Sequence, residues 1–229
     1  MTRQGRRIAA TTNGPYGVSG GVPLVRAGMA TDSDGHAVAW VEHGPVNTAG
    51  EADDEGTYWL CRCGRSGNKP FCDGSHRRGE PFDGAEAAPT SSYGERAKVM
   101  QGAGEQVRDD RGICEHAGFC TRADTNVWRM VRSGDEALLP AMDAMIDLCP
   151  SGALTRRPGP DSPDSEPELP TRVVVVDDGP LHVTGGIDVE RADGQPLESR
   201  PRMTLCRCGA SSIKPLCDGS HAQVGFADS

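Results

Sequence analysis

The stretch "CRCGRSGNKPFCDGSH", residues 61–76, is repeated 145 positions later as "CRCGASSIKPLCDGSH", residues 206–221. Twelve of the sixteen positions are identical. Both stretches have the spacing Cys-x-Cys-x8-Cys-x3-His, and the residues are Cys61, Cys63, Cys72 and His76, then Cys206, Cys208, Cys217 and His221. Three thiolates and an imidazole suit a soft or borderline metal, not calcium or magnesium. The spacing alone leaves open a tetrahedral zinc site and a pair of iron atoms, one held by Cys-x-Cys and the other by Cys and His.

The repeat extends beyond the cysteines, since "GPYGVSGGV" (14–22) parallels "GPLHVTGGI" (179–187). The segment "RVVVVDDGPLHVTGGIDVE" (172–190) predicts short strands around a turn, and "TYWL" and "RMTL" predict strands that lead into Cys61 and Cys206. The first copy has a polar insertion within residues 30–56. We therefore predict a first repeat over residues 10–84 and a second repeat over residues 171–229.

Nine cysteines fall into three groups of three, an odd number that fits disulfides within a group poorly. The N-terminus has no apolar segment typical of a secretory signal, and no run of residues has the length of a membrane span. We therefore expect a cytoplasmic protein. In that reducing compartment clustered thiols bind metal more often than they form disulfides.

The net charge of -9 and the pI near 5.1 argue against a nucleic-acid binder, because phosphate recognition needs a basic face. An acidic surface suits either solubility alone or the steering of a basic partner face. Only 36% of the residues are apolar, so hydrophobic burial alone is a limited source of stability.

A third unit is predicted between the repeats, over residues 93–156, and we call it the middle unit. Its segment "PAMDAMIDLCPSGAL" (140–154) predicts a helix ended by Pro150, with one face formed by Ala141, Met142, Met145, Ile146 and Cys149. Segments rich in Pro, Ser and acidic residues, 79–95 and 156–171, bracket the unit and predict flexible linkers.

Both cysteine stretches match the signature C-x-C-x2-[ST]-x3-P-x-C-D-G-S-H at every position, and so resemble the CDGSH iron–sulfur domain of the mitoNEET-like family. The resemblance implies one [2Fe-2S] cluster in each repeat, held by three cysteines and one histidine. Ser66 and Ser211 are then expected to donate hydrogen bonds to cluster sulfur. Asp73 and Asp218 are expected to cap a short helix that carries the histidine, and we include both among the cofactor-binding residues.

The resemblance also implies a fold. Simple members of this family are intertwined homodimers with a β-rich cap above a cluster-binding layer. Two copies in one chain therefore suggest a monomer with an internal pseudo-two-fold axis. We expect a small α+β protein in which two β-rich modules form an intramolecular pseudo-dimer, with a ferredoxin-like α+β unit between them.

The middle unit contains Cys114-x5-Cys120 and, later, Cys149-Pro150, which is similar to the C-x2-C-x2-C…C-P pattern of bacterial ferredoxins with Ala117 at the central position. It resembles single-cluster ferredoxins that accompany bacterial oxygenases, and the divergent mono-cluster domain often associated with CDGSH sequences. The resemblance implies a [3Fe-4S] cluster on these three cysteines. His116 leaves two alternatives, a fourth ligand that completes a [4Fe-4S] cluster or a histidine outside the ligand set.

These features together predict an electron carrier without catalytic residues, which receives electrons from a reductase and passes them to an acceptor oxidoreductase such as an oxygenase. A histidine ligand raises the potential of a [2Fe-2S] centre and can titrate near neutrality. An alternative function is therefore that of a cluster donor or a redox or pH sensor. An enzyme would need a substrate at an open iron position of the middle cluster.

Overall fold

The computed structural model describes residues 5–102, 104–159 and 161–228, and within them no helix has the length and apolar character needed to cross a membrane. The first repeat contains β1 (Arg7–Ala10), β2 (Tyr16–Ser19), β3 (Leu24–Thr31), β4 (Ala37–Pro45) and β5 (Tyr58–Leu60). The middle unit contains α1 (Tyr93–Arg96), β6 (Lys98–Gln101), β7 (Gln106–Asp109), α2 (Val127–Ser133), α3 (Leu139–Asp147) and β8 (Leu154–Arg157). The second repeat contains β9 (Arg172–Val176), β10 (Leu181–Thr184), β11 (Asp188–Glu190), β12 (Arg202–Leu205) and α4 (Ser220–Gln223).

Each of the two larger sheets is completed by a strand from the other repeat. The first sheet has the order β11-β1-β2-β5, and β11 runs parallel to β1 with Ile8 opposite Val189. The second has the order β12-β10-β9-β3-β4, and β3 runs parallel to β9 with Val25 opposite Val174. The third strand of each repeat thus pairs with the first strand of the other. This exchange confirms the expected pseudo-dimer of two β-rich modules.

One hydrophobic core is shared by the two repeats. Alternating and β-branched residues on the strands supply it, as expected for half-buried sheets. Its members come from both repeats and include Ile8, Val18, Leu60, Val173, Leu181 and Leu205. The buried Tyr16 hydroxyl crosses between the repeats, because it donates to the carbonyl oxygens of Cys206 at 2.8 Å and Pro215 at 3.1 Å. The cysteine loop of the second repeat therefore rests on a side chain of the first.

The insertion in the first repeat forms an additional edge strand. Strand β4 pairs with β3 in antiparallel orientation, with irregular register at two points. Its Trp40 reaches the middle unit, where the indole N–H donates to Leu148 O at 3.3 Å and the ring lies 4.9 Å from the ring of Phe119. The insertion, predicted only as polar, thus fixes the position of the middle unit.

The middle unit has a three-stranded antiparallel sheet, β6-β7-β8, packed against two helices. Helix α2 begins at Asn126, whose side chain accepts a hydrogen bond from Arg129 N, and is followed by Gly134 in the left-handed region. Helix α3 ends at Asp147, ahead of Pro150, which disfavours helical geometry in the preceding residue.

The predicted apolar face of α3 is correct at three of its five positions. Met142, Met145 and Ile146 are buried in the core of the middle unit. Ala141 is exposed, and Cys149 lies beyond the end of the helix. A single methyl group gains little from burial, so its position in the sequence pattern is a weak constraint.

The two segments predicted as flexible linkers are instead held by arginines and backbone hydrogen bonds. In the first, Ala88 O accepts from Arg191 of the second repeat at 2.8 Å. In the second, Glu166 forms an ion pair with Arg202 at 2.8 Å, and Asp164 forms one with Arg108 at 2.8 Å. The composition of these segments predicted flexibility. Their acidic residues instead form ion pairs with buried arginines on other elements.

His182, on β10, is a buried histidine that we expect to make stability depend on pH. Burial lowers the pKa of this histidine to about 3, and the positive charges of Arg202 and Arg172 contribute to the shift. The unfolded chain has a histidine pKa of about 6.5 and therefore takes up a proton that the folded chain excludes. The stabilising contribution of the neutral ring is present above pH 6.5 and is lost as the pH falls towards 3.

We expect the free energy of unfolding to fall by about 1–2 kcal/mol between pH 6.5 and pH 5 from this group. Urea unfolding followed by circular dichroism at the two pH values measures the change. His182→Leu should remove most of this pH dependence, and His43→Leu, at a half-exposed histidine, is the control. Identical pH dependence in wild type and His182→Leu would contradict the assignment.

Candidate metal centres

The cysteine loop of each repeat starts at the end of a strand and folds back onto it. In the first repeat Cys61 N donates to Pro70 O at 2.8 Å, and Cys72 N donates to Trp59 O at 2.9 Å. Cys72 is thereby held beside the strand that leads into Cys61. The second repeat has the same two hydrogen bonds, from Cys206 N to Pro215 O at 2.8 Å and from Cys217 N to Thr204 O at 3.0 Å.

The predicted ligand atoms lie close together in pairs. We call Cys61, Cys63, Cys72 and His76 the first site, and Cys206, Cys208, Cys217 and His221 the second site. In the first site the two Cys-x-Cys sulfurs are 3.9 Å apart, and the third sulfur is 3.5 Å from the histidine Nδ1. The corresponding distances in the second site are 3.6 and 3.4 Å. Ligands of one tetrahedral metal with bonds of about 2.0–2.3 Å lie about 3.3–3.8 Å apart, so each pair fits one metal atom.

The two pairs of one site are too far apart for a single metal. Among the described residues, no three ligand atoms of either site lie within 4.8 Å of one another. A zinc ion held by three or four of these residues would need all of its ligands within about 4 Å of one another. Two metal atoms, each held by one pair, fit both the distances and the soft donor set. The geometry therefore argues against one metal ion shared by all four residues of a site.

One thiol of each Cys-x-Cys pair ionises readily. A hydrogen bond from the Cys61 thiol lowers the pKa of Cys63 to about 5, against the opposing effect of burial. In the second site a hydrogen bond from the Cys208 thiol lowers the pKa of Cys206 to about 6. The thiolate is the form that binds metal, so each pair supplies one ready ligand at neutral pH.

Asp73 and Asp218 hold the turns that carry the two histidines. Asp73 Oδ1 accepts from Ser75 N at 2.9 Å and its Oδ2 accepts from Gly67 N at 3.0 Å, and these hydrogen bonds hold its pKa below the ordinary value. Asp218 has the same two contacts, with Ser220 N at 3.0 Å and Ser212 N at 2.8 Å. The N-cap positions of the 3-10 helix, Ser75–Arg77, and of α4 are occupied by Gly74 and Gly219, so the aspartates are not the predicted caps and instead accept from the first residue of each helix.

The predicted role of Ser66 and Ser211 needs a correction. The Ser66 hydroxyl donates its proton to Phe71 O at 2.6 Å, and the Ser211 hydroxyl donates to Leu216 O at 2.7 Å. A hydroxyl has one proton, so it is used within the loop and not on cluster sulfur. The backbone N–H of Ser66 and that of Ser211 face the sulfurs of Cys61 and Cys206 instead.

Two buried arginines were missed in the sequence analysis. Arg62 and Arg207 stand between the cysteines of each Cys-x-Cys pair, and each is 1% exposed. Arg62 forms an ion pair with Glu86, and Arg207 forms one with Asp228. Both also donate to backbone carbonyls, so they attach the cysteine loop to neighbouring segments. The sequence signal that could have identified these arginines is the tetrapeptide "CRCG", which is identical in both repeats.

The cysteine loops of the two repeats contact each other at glycines. A Cβ atom on Gly64 would lie 2.5 Å from Cys208 O, and one on Gly209 would lie 2.8 Å from Cys63 O. Both glycines have positive φ, +76° and +82°. Glycine is needed here for the backbone conformation and for the close approach of the two loops.

The three cysteines of the middle unit line one cavity of about 220 Å³. Cys114 follows a 3-10 helix, Arg111–Ile113, and receives hydrogen bonds from the Arg111 guanidinium at 3.7 Å and from His116 N at 3.4 Å. Cys120 precedes α2 and Cys149 follows α3. The three sulfurs do not all lie within 4.8 Å of one another, which is wider than the ligand spacing around a single metal ion. We call these three cysteines the middle site.

His116 has positive φ, 64°, and its side chain is exposed. It lines the cavity of the middle site, and its Cδ2 atom also approaches Gly219 of the second repeat. Glu115, next to it, is 4% exposed, and burial raises its pKa to about 8. Neither contact of this segment with the second repeat was predicted from the sequence.

Two histidines outside the candidate sites lie beside aspartates. His43 Nε2 lies 2.8 Å from Asp177, and His36 Nδ1 lies 3.3 Å from Asp32.

Comparison with known families matched two models to this chain. The model described as "Iron-binding zinc finger CDGSH type" matches residues 13–77 and 178–222, and the model described as "Divergent 4Fe-4S mono-cluster" matches residues 100–157. The comparisons with curated proteins and with solved structures gave no significant match. The chain therefore contains two CDGSH-type segments that flank one divergent mono-cluster segment, which makes it an iron–sulfur protein.

Proposed function

We propose that this protein is a cytoplasmic electron carrier with two [2Fe-2S] clusters, one in each CDGSH site, and one [3Fe-4S] cluster in the middle site. It acts as a monomer between a reductase and an acceptor oxidoreductase, such as an oxygenase. The observation that carries the proposal is the pairing of ligand atoms in both repeats, at 3.4–3.9 Å within each pair. Because three ligand sets lie within one folded chain, they support electron transfer from one metal centre to another.

A bound iron–sulfur cluster supplies one-electron redox chemistry. The residues of the chain bind it, exclude water from it and set its charge. Cys61 and Cys206 are 2% and 0% exposed, so water has little access to the Cys-x-Cys side. Each histidine replaces one thiolate, which removes a negative charge and favours a higher potential than four thiolates give.

Contact with a partner is supported at the histidine of the first site. His76 and Cys72 line an open cleft of about 700 Å³ together with Trp59 and Arg77. Trp59 is a large apolar side chain that is 37% exposed. Aromatic and arginine side chains are enriched at protein interfaces.

A second candidate function, that of a cluster donor or a redox or pH sensor, is favoured by the histidine ligand of each site. A protonated imidazole is a poor ligand, so the iron bound by the histidine is the one most readily released in acid. Release of iron and sulfide to an apo-protein acceptor, without electron delivery to an oxidoreductase, would support this function.

Iron and acid-labile sulfide analysis with EPR, on protein purified without air, tests the proposed carrier. We expect about seven irons per chain, as two, two and three, and an EPR signal from an oxidised three-iron centre. About eight irons would instead support a four-iron middle cluster with His116 as a ligand.

Two matched variants assign the signals. Cys72→Ala should remove the [2Fe-2S] signal of the first site, and Cys120→Ala should remove the three-iron signal. Colourless protein that contains zinc and no inorganic sulfide would contradict the proposal.

A further inference from the structure

The segment that follows Cys114 contacts the second site. A Cβ atom on Gly219, in the Asp-Gly-Ser-His turn of the second repeat, would lie 2.8 Å from Glu115 O and 3.2 Å from His116 Cδ2. Gly219 is buried and its N–H donates to Cys217 Sγ at 3.5 Å. On the other side of the contact, His116 N donates to Cys114 Sγ at 3.4 Å. The contact is therefore within two residues of a cysteine ligand on both sides.

The same segment is a common wall of two cavities. Glu115 and Ala117 line the cavity of the middle site, and they also line a cavity of about 300 Å³ that contains His221. The buried side chain of Glu115 lies beside Thr204, on the strand that leads into Cys206. Movement of this segment would change the shape of both cavities.

Among the residues that the structure describes, the first site has no such neighbour. Gly74 is the equivalent of Gly219 and has almost the same φ, +83° against +85°. Nothing lies within 4 Å of a Cβ atom on Gly74. The cleft beside His76 is lined only by residues of the first repeat, such as Trp59 and Phe82. The two repeats thus share one sequence motif but differ in the residues that contact its glycine.

We propose that Glu115 and His116 are positioning residues that join the middle site to the second CDGSH site, so that these two sites form a coupled pair and the first site stands outside it. The proposal rests on the function proposed above, since it concerns loaded sites. Loading of the middle site holds the segment in place against Gly219, and the segment in turn holds the turn that carries His221.

The pseudo-symmetry supplies a matched pair of variants, Gly219→Ala and Gly74→Ala. Both place alanine at nearly the same positive φ and at the same position relative to a Cys and a His ligand. Only Gly219→Ala brings its methyl group against Glu115 and His116. The probe is a ferric and ferrous iron chelator added to the fully loaded protein, with the EPR signal of the middle site followed over time.

We expect the middle-site signal to decay about tenfold faster in Gly219→Ala than in wild type, on the scale of the penalty for overpacking a close contact. Gly74→Ala should leave the decay unchanged. Equal decay in the two variants, whether both fast or both slow, would overturn the proposal.

A reciprocal measurement uses a variant outside the contact, in case Gly219→Ala does not fold. Coupling between sites is mutual, so loss of the middle ligand in Cys120→Ala should raise amide hydrogen exchange in residues 219–221 several-fold. Residues 74–76 of the same molecule are the internal control and should not change. Equal change, or none, in the two segments would overturn the proposal. The iron count of wild-type protein separately shows whether the clusters are present at all.

Discussion

Gly64→Ala is expected to prevent both CDGSH loops from reaching their folded positions. The new methyl carbon would lie 2.5 Å from Cys208 O and 2.9 Å from Cys208 C, which are backbone atoms that cannot rotate away. The residue would also be held at a φ of +76°, which costs about 1–2 kcal/mol for a residue with a Cβ atom. Together with the overlap, we expect the free energy of unfolding to fall by about 2–5 kcal/mol, a large part of the stability of a typical domain.

Urea unfolding measures this loss, and iron analysis of the purified variant measures its effect on the sites. Both repeats should lose iron, because Gly64 of one loop contacts Cys208 of the other. Gly186→Ala is the matched control, since Gly186 has a φ of +68° and nothing within 4 Å of a Cβ atom. If the free energy of unfolding falls by the same amount in both variants, backbone strain alone explains the loss. The contact between the two loops would then contribute nothing to stability.

Arg207→Met should have the second large effect. The guanidinium is 1% exposed and donates to Gly179 O at 2.7 Å and to Val176 O at 2.5 Å, and it forms an ion pair with Asp228. Methionine fills much of the same volume but leaves the carboxylate and both carbonyl groups without their donor. Breaking a buried ion pair by removing one partner costs about 3–5 kcal/mol.

The measurement is again the free energy of unfolding, with two comparisons within the chain. Arg62→Met removes the equivalent arginine of the first repeat and should cause a loss of similar size. Arg7→Met removes an exposed partner of Glu190, with 53% of the arginine side chain accessible, and should change the stability by less than about 1 kcal/mol. A loss in Arg207→Met no larger than in Arg7→Met would show that the buried pair adds little.

The sequence was sufficient to predict most local elements of the repeats. The β-branched run before the turn at Asp178 became β9 and the residues after the turn became β10, while "TYWL" and "RMTL" supplied β5 and β12. The side chains predicted as metal ligands lie in close pairs in both repeats. These features depend on residues close in the chain, where turn residues and alternation determine the backbone.

What the sequence did not reveal depends on contacts between distant segments. The hydroxyl of Ser66 has an acceptor, Phe71 O, that is visible only when the loop has folded. The charge of Glu86 is balanced by Arg62, and the contact of Glu115 with Gly219 joins two different units. The composition of the segment around Glu86 is that of a linker, and a linker was therefore predicted. Composition does not show which buried cation pairs with a given carboxylate.

The exchange of strands between repeats has a consequence for how the protein is made. Ile8 on β1 pairs with Val189 on β11, which is synthesised about 180 residues later. Strand β1 therefore has no partner on this edge until β11 has left the ribosome. Until then the N-terminal half has its iron-binding cysteines already synthesised and two unpaired sheet edges exposed, which is an aggregation hazard for a nascent chain. Metal insertion is therefore expected to follow release of the complete polypeptide, and early truncation should yield insoluble, metal-free fragments instead of a half-sized carrier.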